Sequence, residues 1–211
     1  MSAKRPKTKT APEAPSTAET LPIEDRALDA ALRLAATRRW SDIALSEIAA
    51  EAGLELGDML RHARCKNALL GVFARRLDAA MLAQPVESDS PVKDRLFDLL
   101  MRRFDALGPY RDAVQGILDG MMRDPAITFS MGPGLVHSMR YLAEAAGINA
   151  TGLLGPIKIN ALASVYICTL RVWVKDDSAD AAKTMAHLDK QLGRLDGWTS
   201  SIPAFLRSAA A

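Results

Sequence analysis

The chain has 211 residues, 49% of them hydrophobic and 25% charged, with 27 Lys and Arg against 25 Asp and Glu for a formal charge of +2. That length supports a substantial core. The charge is too small to identify a nucleic-acid partner, because counterion release depends on local clusters of Lys and Arg rather than on totals. Few aromatic residues and abundant Ala, Leu, Arg and Met point to an all-α protein.

The first 22 residues are rich in Pro, Thr, Ala and Lys with almost no large apolar side chain, so residues 1–22 read as a disordered basic tail. Its Lys4, Arg5, Lys7 and Lys9 can lie along phosphates or anionic lipid, or simply solubilise the chain. From Ile23, apolar residues recur at helical spacing through Ala27, Leu28, Ala31, Leu32 and Ala35. Glu24 and Asp25 stand in the first turn, where the helix dipole favours anions. Trp40 follows as a packing plug. A short helix is predicted over Leu45 to Ala52, ended by Gly53, which tolerates positive φ.

A third, very short helix runs from Leu56 to His62, with Leu56, Met59, Leu60 and Ala63 as its expected apolar face. A fourth opens near Lys66 and carries Leu69, Leu70, Phe73, Leu77 and Met81 inward. Three small helices and a longer connector make a helix-turn-helix headpiece over residues 23–84. The polar stretch "AQPVESDSP", bracketed by Pro85 and Pro91, marks its boundary.

Residues 91–211 are expected to form a larger helical body that binds ligand and dimerises. Its first helix places Leu96, Leu100, Phe104 and Leu107 inward and Arg102, Arg103 and Asp105 outward. Another spans Tyr110 to Met122. The next stretch is expected to break at Gly132 to Gly134 and resume as a helix to Ala146. "LLGPIKINALASVYICTLRVWVK" is nearly apolar all round, suiting the middle of a bundle or an oligomer interface. A capping signal at Asp177 or Ser178 opens a last long helix with Ala182, Met185, Leu188 and Leu192 on one stripe. Trp198, Ile202, Phe205, Leu206 and Arg207 close the chain and can pack on their own domain or rest at a membrane interface.

Ile23 to Phe73 resembles the N-terminal headpiece of the Tet repressor family. Ile48, Ala49, Ala52, Gly53, Gly57, Leu60, Arg61, His62, Lys66 and Leu69 stand where that pattern has such residues. The resemblance implies an all-α, Tet-repressor-like fold, a transcriptional regulator whose headpieces bind duplex DNA, and a homodimer joined by its last long helices. Arg61, His62, Arg64 and Lys66 are the DNA-contacting candidates it implies. The chain departs from the pattern at Ile43 and Ala44, where a hydroxyl residue commonly meets a phosphate, and at Glu55 and Asp58, whose carboxylates repel DNA.

The second half is similar to the ubiquinone-biosynthesis accessory proteins that share the Tet repressor fold and bind lipid. The matching pattern is Val165-Tyr166-x-x-Thr169, then Asp176-x-Ser178-x-Asp180, then Thr184-x-x-x-Leu188-Asp189. It implies an isoprenoid ligand. Gly155 and Pro156 stand where that family has a Trp-Tyr pair for its hydroxylase partner, so the partner contact does not carry over.

Phe97, Met101, Phe104, Met121, Met139 and Trp173 are the pocket candidates, either ordinary core or an adaptable apolar site for a small effector, in company with Met122, Phe129 and Met131. No nucleophile-base pair, phosphate loop or metal-ligand spacing is legible, so neither an enzyme, a metal site nor a cofactor is expected. Cys65 and Cys168 lie far apart and His62, His137 and His187 are scattered, which fits a reducing, cytoplasmic setting.

Overall fold

The computed structural model describes residues 21–152 and 154–200, with side chains described outside 125–131 and 196–200. Residues 1–20 of the basic tail, residues 201–207 of the closing segment, and the side chains of Trp198, Phe129 and Met131 therefore lie outside what is described. Within them the architecture is all-α. α1 (Ile23–Ala35), α2 (Leu45–Glu51), α3 (Leu56–His62) and α4 (Lys66–Met81) come first, with a 3-10 turn at Trp40–Asp42 between α1 and α2. α5 (Val92–Leu107), a 3-10 turn at Gly108–Tyr110, α6 (Arg111–Arg123), α7 (Pro125–Ala145), α8 (Gly155–Trp173) and α9 (Ala182–Ser200) complete it.

α1 forms because its apolar residues fall on one stripe, and Ala27, Leu28, Ala30, Ala31, Leu32 and Ala35 are all buried. α4 is the central rod. It packs against α1 on one side and against α5 and α7 on the other, so one continuous core runs from Ala27 to Leu192. Arg76 of α4 reaches Asp25 and Asp29 of α1 at 2.8 and 2.7 Å, and Phe73 meets Tyr110 edge-on at 5.2 Å.

α6 lies against the end of α1 and the Trp40–Asp42 turn. Gly116 and Gly120, one turn apart, permit this approach. A Cβ on Gly116 would overlap the carbonyl oxygen of Ala35, and one on Gly120 would stand 3.0 Å from Ser41 N and from Trp40 Cβ.

Several expectations are corrected. Arg103, placed on the outer face of α5 by helical periodicity, is 2% exposed. It pairs with Asp78 of α4 and lies over the ring of Tyr166 of α8, while Ser138 of α7 donates to the same Asp78 carboxylate. Its burial is set by facing helices that α5's own pattern does not report. The second concerns α7, which runs unbroken through Gly132, Pro133 and Gly134. A proline inside a helix costs about 3 kcal/mol or more, and the packing of α7 on α4, α6 and α8 offsets it. The third is the face of α3, where Leu56 and Leu60 are exposed.

α8 is not buried all round. Ile159, Leu162, Val165, Tyr166, Leu170 and Trp173 face the core, and Ile157, Asn160, Ser164 and Cys168 are exposed on the opposite side. α9 starts later than the Asp177–Ser178 signal, at Ala182, whose N–H is accepted by Asp180. Asp176 instead organises the preceding turn. Its carboxylate accepts from the hydroxyl and N–H of Thr184 at 2.6 and 2.8 Å and from Ser178, and its carbonyl accepts from Arg111 at 2.6 Å. Burial acts to raise this carboxyl, and the hydrogen bonds from Ser178 and Thr184 outweigh it and hold the group well below the usual carboxylate range.

Two measurements test this packing. Gly116→Ala should lower stability by about 1–3 kcal/mol in urea unfolding through overpacking, whereas Gly71→Ala, in open space on α4, should raise it by about 0.5–1 kcal/mol. Asp176 favours the fold above its unfolded pKa, so stability should decline as pH falls below about 4. Asp176→Asn should be less stable at neutral pH and flatter in that acid range.

Candidate nucleic-acid interface

α2 and α3 are joined by a four-residue turn, Ala52 to Glu55, that bends at Gly53 with φ +64°. Leu54 N–H reaches back to Ala49 at 2.9 Å, and Arg26 of α1 donates to the carbonyls of Ala52 and Gly53 at 2.9 and 3.3 Å. α2 starts with half of a capping box. Glu47 accepts from the N–H of Ala44 at 2.7 Å, but Ala44 has no side-chain oxygen to return the bond. That backbone hydrogen bond, followed by the one from Arg38, holds the Glu47 carboxyl below its ordinary range.

α3 is anchored by Met59, fully buried, and by Ala63 just beyond its end. Leu56 and Leu60, expected on the inward face, are 43% and 47% exposed. A seven-residue helix resting on α1 and α2 along one edge has only one narrow buried stripe. Its outward face is Leu56, Gly57, Leu60 and Arg61, continued by Arg64.

The four candidate DNA-contacting residues divide. Arg61 is exposed, and its guanidinium is paired with Asp58 one turn earlier. His62 and Arg64 are exposed, and no carboxylate among the described residues pairs with Arg64. Lys66 is turned inward. Its ammonium group donates to the carbonyls of Trp40, Ser41 and Ile43 at 2.6, 3.0 and 2.6 Å and lies over the Trp40 ring. Burial lowers its pKa, and the carboxylates of Asp124, Asp42 and Glu47 act in the opposite sense. Beside it, Trp40 is fully buried and donates from Nε1 to Asn67 at 2.8 Å.

Most of the headpiece's charge is balanced internally. Residues 23–84 hold nine Arg and Lys and nine Asp and Glu. Arg33 pairs with Glu51, Arg38 with Glu47, Arg39 with Asp42 and Arg75 with Glu24. Sequence reading found the charges but not the pairs, because most of the partners lie on different elements.

The pocket candidates also divide. Phe104, Met139 and Trp173 are buried, with Phe104 stacked between Tyr166 at 5.7 Å and Trp173 at 6.0 Å. Met101 and Met121 are half-buried against the core. Phe97 lies apart from the stack, in an open groove of about 340 Å³ between α5 and α9 with Met185, Ala186, Asp94 and Asp189. Sequence reading missed the polar centre of the body. There Arg103 Nε and Thr169 Oγ1 are buried without a hydrogen-bond partner, and nothing in α5, where Arg103 stands beside Arg102 among other charged residues, marked it. No group of His, Cys, Asp and Glu among the described residues is arranged to hold a metal, and none of the described helices is long and apolar enough to cross a membrane.

No protein-family model and no curated protein matches the chain. Solved structures do match it. A TetR transcriptional regulator from Nitrosomonas europaea aligns with TM-score 0.64 and 23% identity over 83% of this chain and 98% of that one. One from Rhodococcus sp. RHA1 gives 0.60 and 18% over 81% and 93%, and a tetR-family regulator from Streptomyces coelicolor gives 0.57 and 14% over 88% of each. This is the TetR fold. The all-α, Tet-repressor-like expectation therefore holds.

Lys66→Met should lower stability by about 1.5–3 kcal/mol, the contribution of hydrogen bonds from a charged group. Arg64→Ala should stay within about 0.5 kcal/mol of the parent, as for an exposed side chain without partners. Thermal unfolding followed by circular dichroism distinguishes the two.

Proposed function

We propose that the chain is a transcriptional regulator of TetR type, in which α3 enters the major groove of duplex DNA and the helical body binds a small apolar effector. The observation that carries this reading is the α2-turn-α3 unit. Its second helix is anchored by Met59 and Ala63 and turns Leu56, Gly57, Leu60, Arg61 and Arg64 to solvent. Arg64 and His62 contact the backbone beside the groove, Arg61 reaches base edges, and Lys66 acts by holding the headpiece together. Residues 23–84 act as the headpiece and residues 91–211 as the sensing and dimerising body.

Dimerisation uses the exposed side of α8, around Ile157, Asn160, Ser164 and Cys168, together with α9. An effector enters beside the half-buried Met101 and Met121 toward the buried Phe104, Met139 and Trp173, with Phe97 lining the separate groove between α5 and α9. It regulates by favouring one spacing of the two headpieces over another.

A second reading is favoured by the charge balance of the headpiece. With nine acids to nine bases and Asp58 beside Arg61, the headpiece serves only as structure. The body then presents an isoprenoid lipid as an accessory factor of ubiquinone biosynthesis, with the closing segment from Trp198 to Arg207 at the membrane surface.

Retention of duplex DNA across a salt series separates the two. The regulator should bind at low salt with affinity falling linearly in log salt, and Arg64→Ala should reduce that slope by about 1. No retention at low salt, together with isoprenoid lipid extracted from the purified chain, would establish the second reading instead.

A further inference from the structure

We propose that Leu56 and Leu60 read thymine methyl groups, so that each half-site carries two thymines in the major groove beneath the apolar part of α3's outward face. This rests on the regulator reading and names what its recognition helix selects. The outward face of α3 is divided lengthwise, with Leu56, Gly57 and Leu60 toward the N-terminus and Arg61 and Arg64 toward the C-terminus. The N-terminal residues of a recognition helix are the ones that meet base edges. A Cβ added at Gly57 would meet nothing within 4 Å, so this part of the surface is open and the backbone between the leucines is free to approach a base pair closely.

Leucine offers no donor or acceptor. Among the groups a base pair presents in the major groove, the C5 methyl of thymine is the apolar one. Packed over a G·C edge, either leucine would strip water from donors and acceptors without replacing it. Residues four apart on a helix are separated by about 6 Å along its axis, close to two base steps of about 3.4 Å, so the two methyls are two steps apart. Asp58 pairs with the exposed guanidinium of Arg61 beside this apolar strip and offsets part of its charge while leaving its N–H groups accessible. Arg64, which has no such partner among the described residues, supplies the phosphate contact.

The test uses the full chain and duplexes enriched from a randomised pool at low salt. Thymines in the enriched sequence are then replaced singly by deoxyuridine, which removes the methyl and leaves base pairing intact. Two replacements per half-site should each weaken binding about fourfold, the worth of one buried methyl-sized group. Leu56→Ala and Leu60→Ala should each abolish one of these effects, and both residues are exposed enough that the fold is retained. The deoxyuridine arm alters only the DNA, so it stands even if a variant misfolds. Duplexes bound equally well after replacement overturn this inference while leaving the regulator reading intact. Leucine variants that bind DNA unchanged overturn it too, and mark the strip as a protein-docking surface. Failure to enrich any duplex overturns both.

Discussion

The placement of α3 depends on one ammonium group. Lys66 directs its N–H bonds to three carbonyls of a single short turn, those of Trp40, Ser41 and Ile43. Because Lys66 is also the first residue of α4, it joins the loop that leads into α2 to the rod that runs through the body. Trp40, fully buried beneath it and bonded to Asn67 in the same turn of α4, makes the junction a packed unit. α3 ends three residues before this junction, so its orientation follows from it.

The other end of α4 is held by a buried ion pair. Asp78 binds Arg103 of α5 and Ser138 of α7 within the apolar core, about 18 Å along the rod from Lys66 at 1.5 Å per residue. Breaking such a pair leaves an uncompensated charge, so the pair acts more as a specification of where α4 sits than as a source of stability. The two ends of the molecule are joined along α4 and through the close contact of Gly116 and Gly120 on α6 with the end of α1 and the Trp40 turn. A rigid rod pinned at both ends and a helix seated on glycines form a contiguous route between the two parts of the molecule.

Electrostatics shape what the headpiece can bind. An operator-binding surface gains affinity from cations that are free to displace counterions. Here Arg33, Arg38, Arg39, Arg61 and Arg75 already face carboxylates, which leaves Arg64 and His62 as the exposed edge. Such a surface offers few unpaired cations to a polyanion and leaves the apolar Leu56 and Leu60 as the larger part of what α3 exposes. Exposed ion pairs contribute little to stability on their own, so this neutrality bears on partner choice more than on folding.

The sequence by itself determined the local structure. The 3.6-residue periodicity of Ala27 to Ala35, the glycine at position 53 and the apolar ladder of α4 each encode a helix, a bend or a buried face in adjacent residues. The headpiece skeleton was legible for the same reason. Only the tertiary structure decided which way α3 turns, that Lys66 faces inward, that Arg103 is buried, and that α7 continues through Pro133. In each case the deciding partner lies far along the chain. Lys66 meets carbonyls more than twenty residues earlier, Arg103 meets Asp78 and Tyr166, and α7 is held by α4 and α8. Periodicity reports a helix's own faces, and the side chain that satisfies a buried charge or outweighs a proline belongs to another helix.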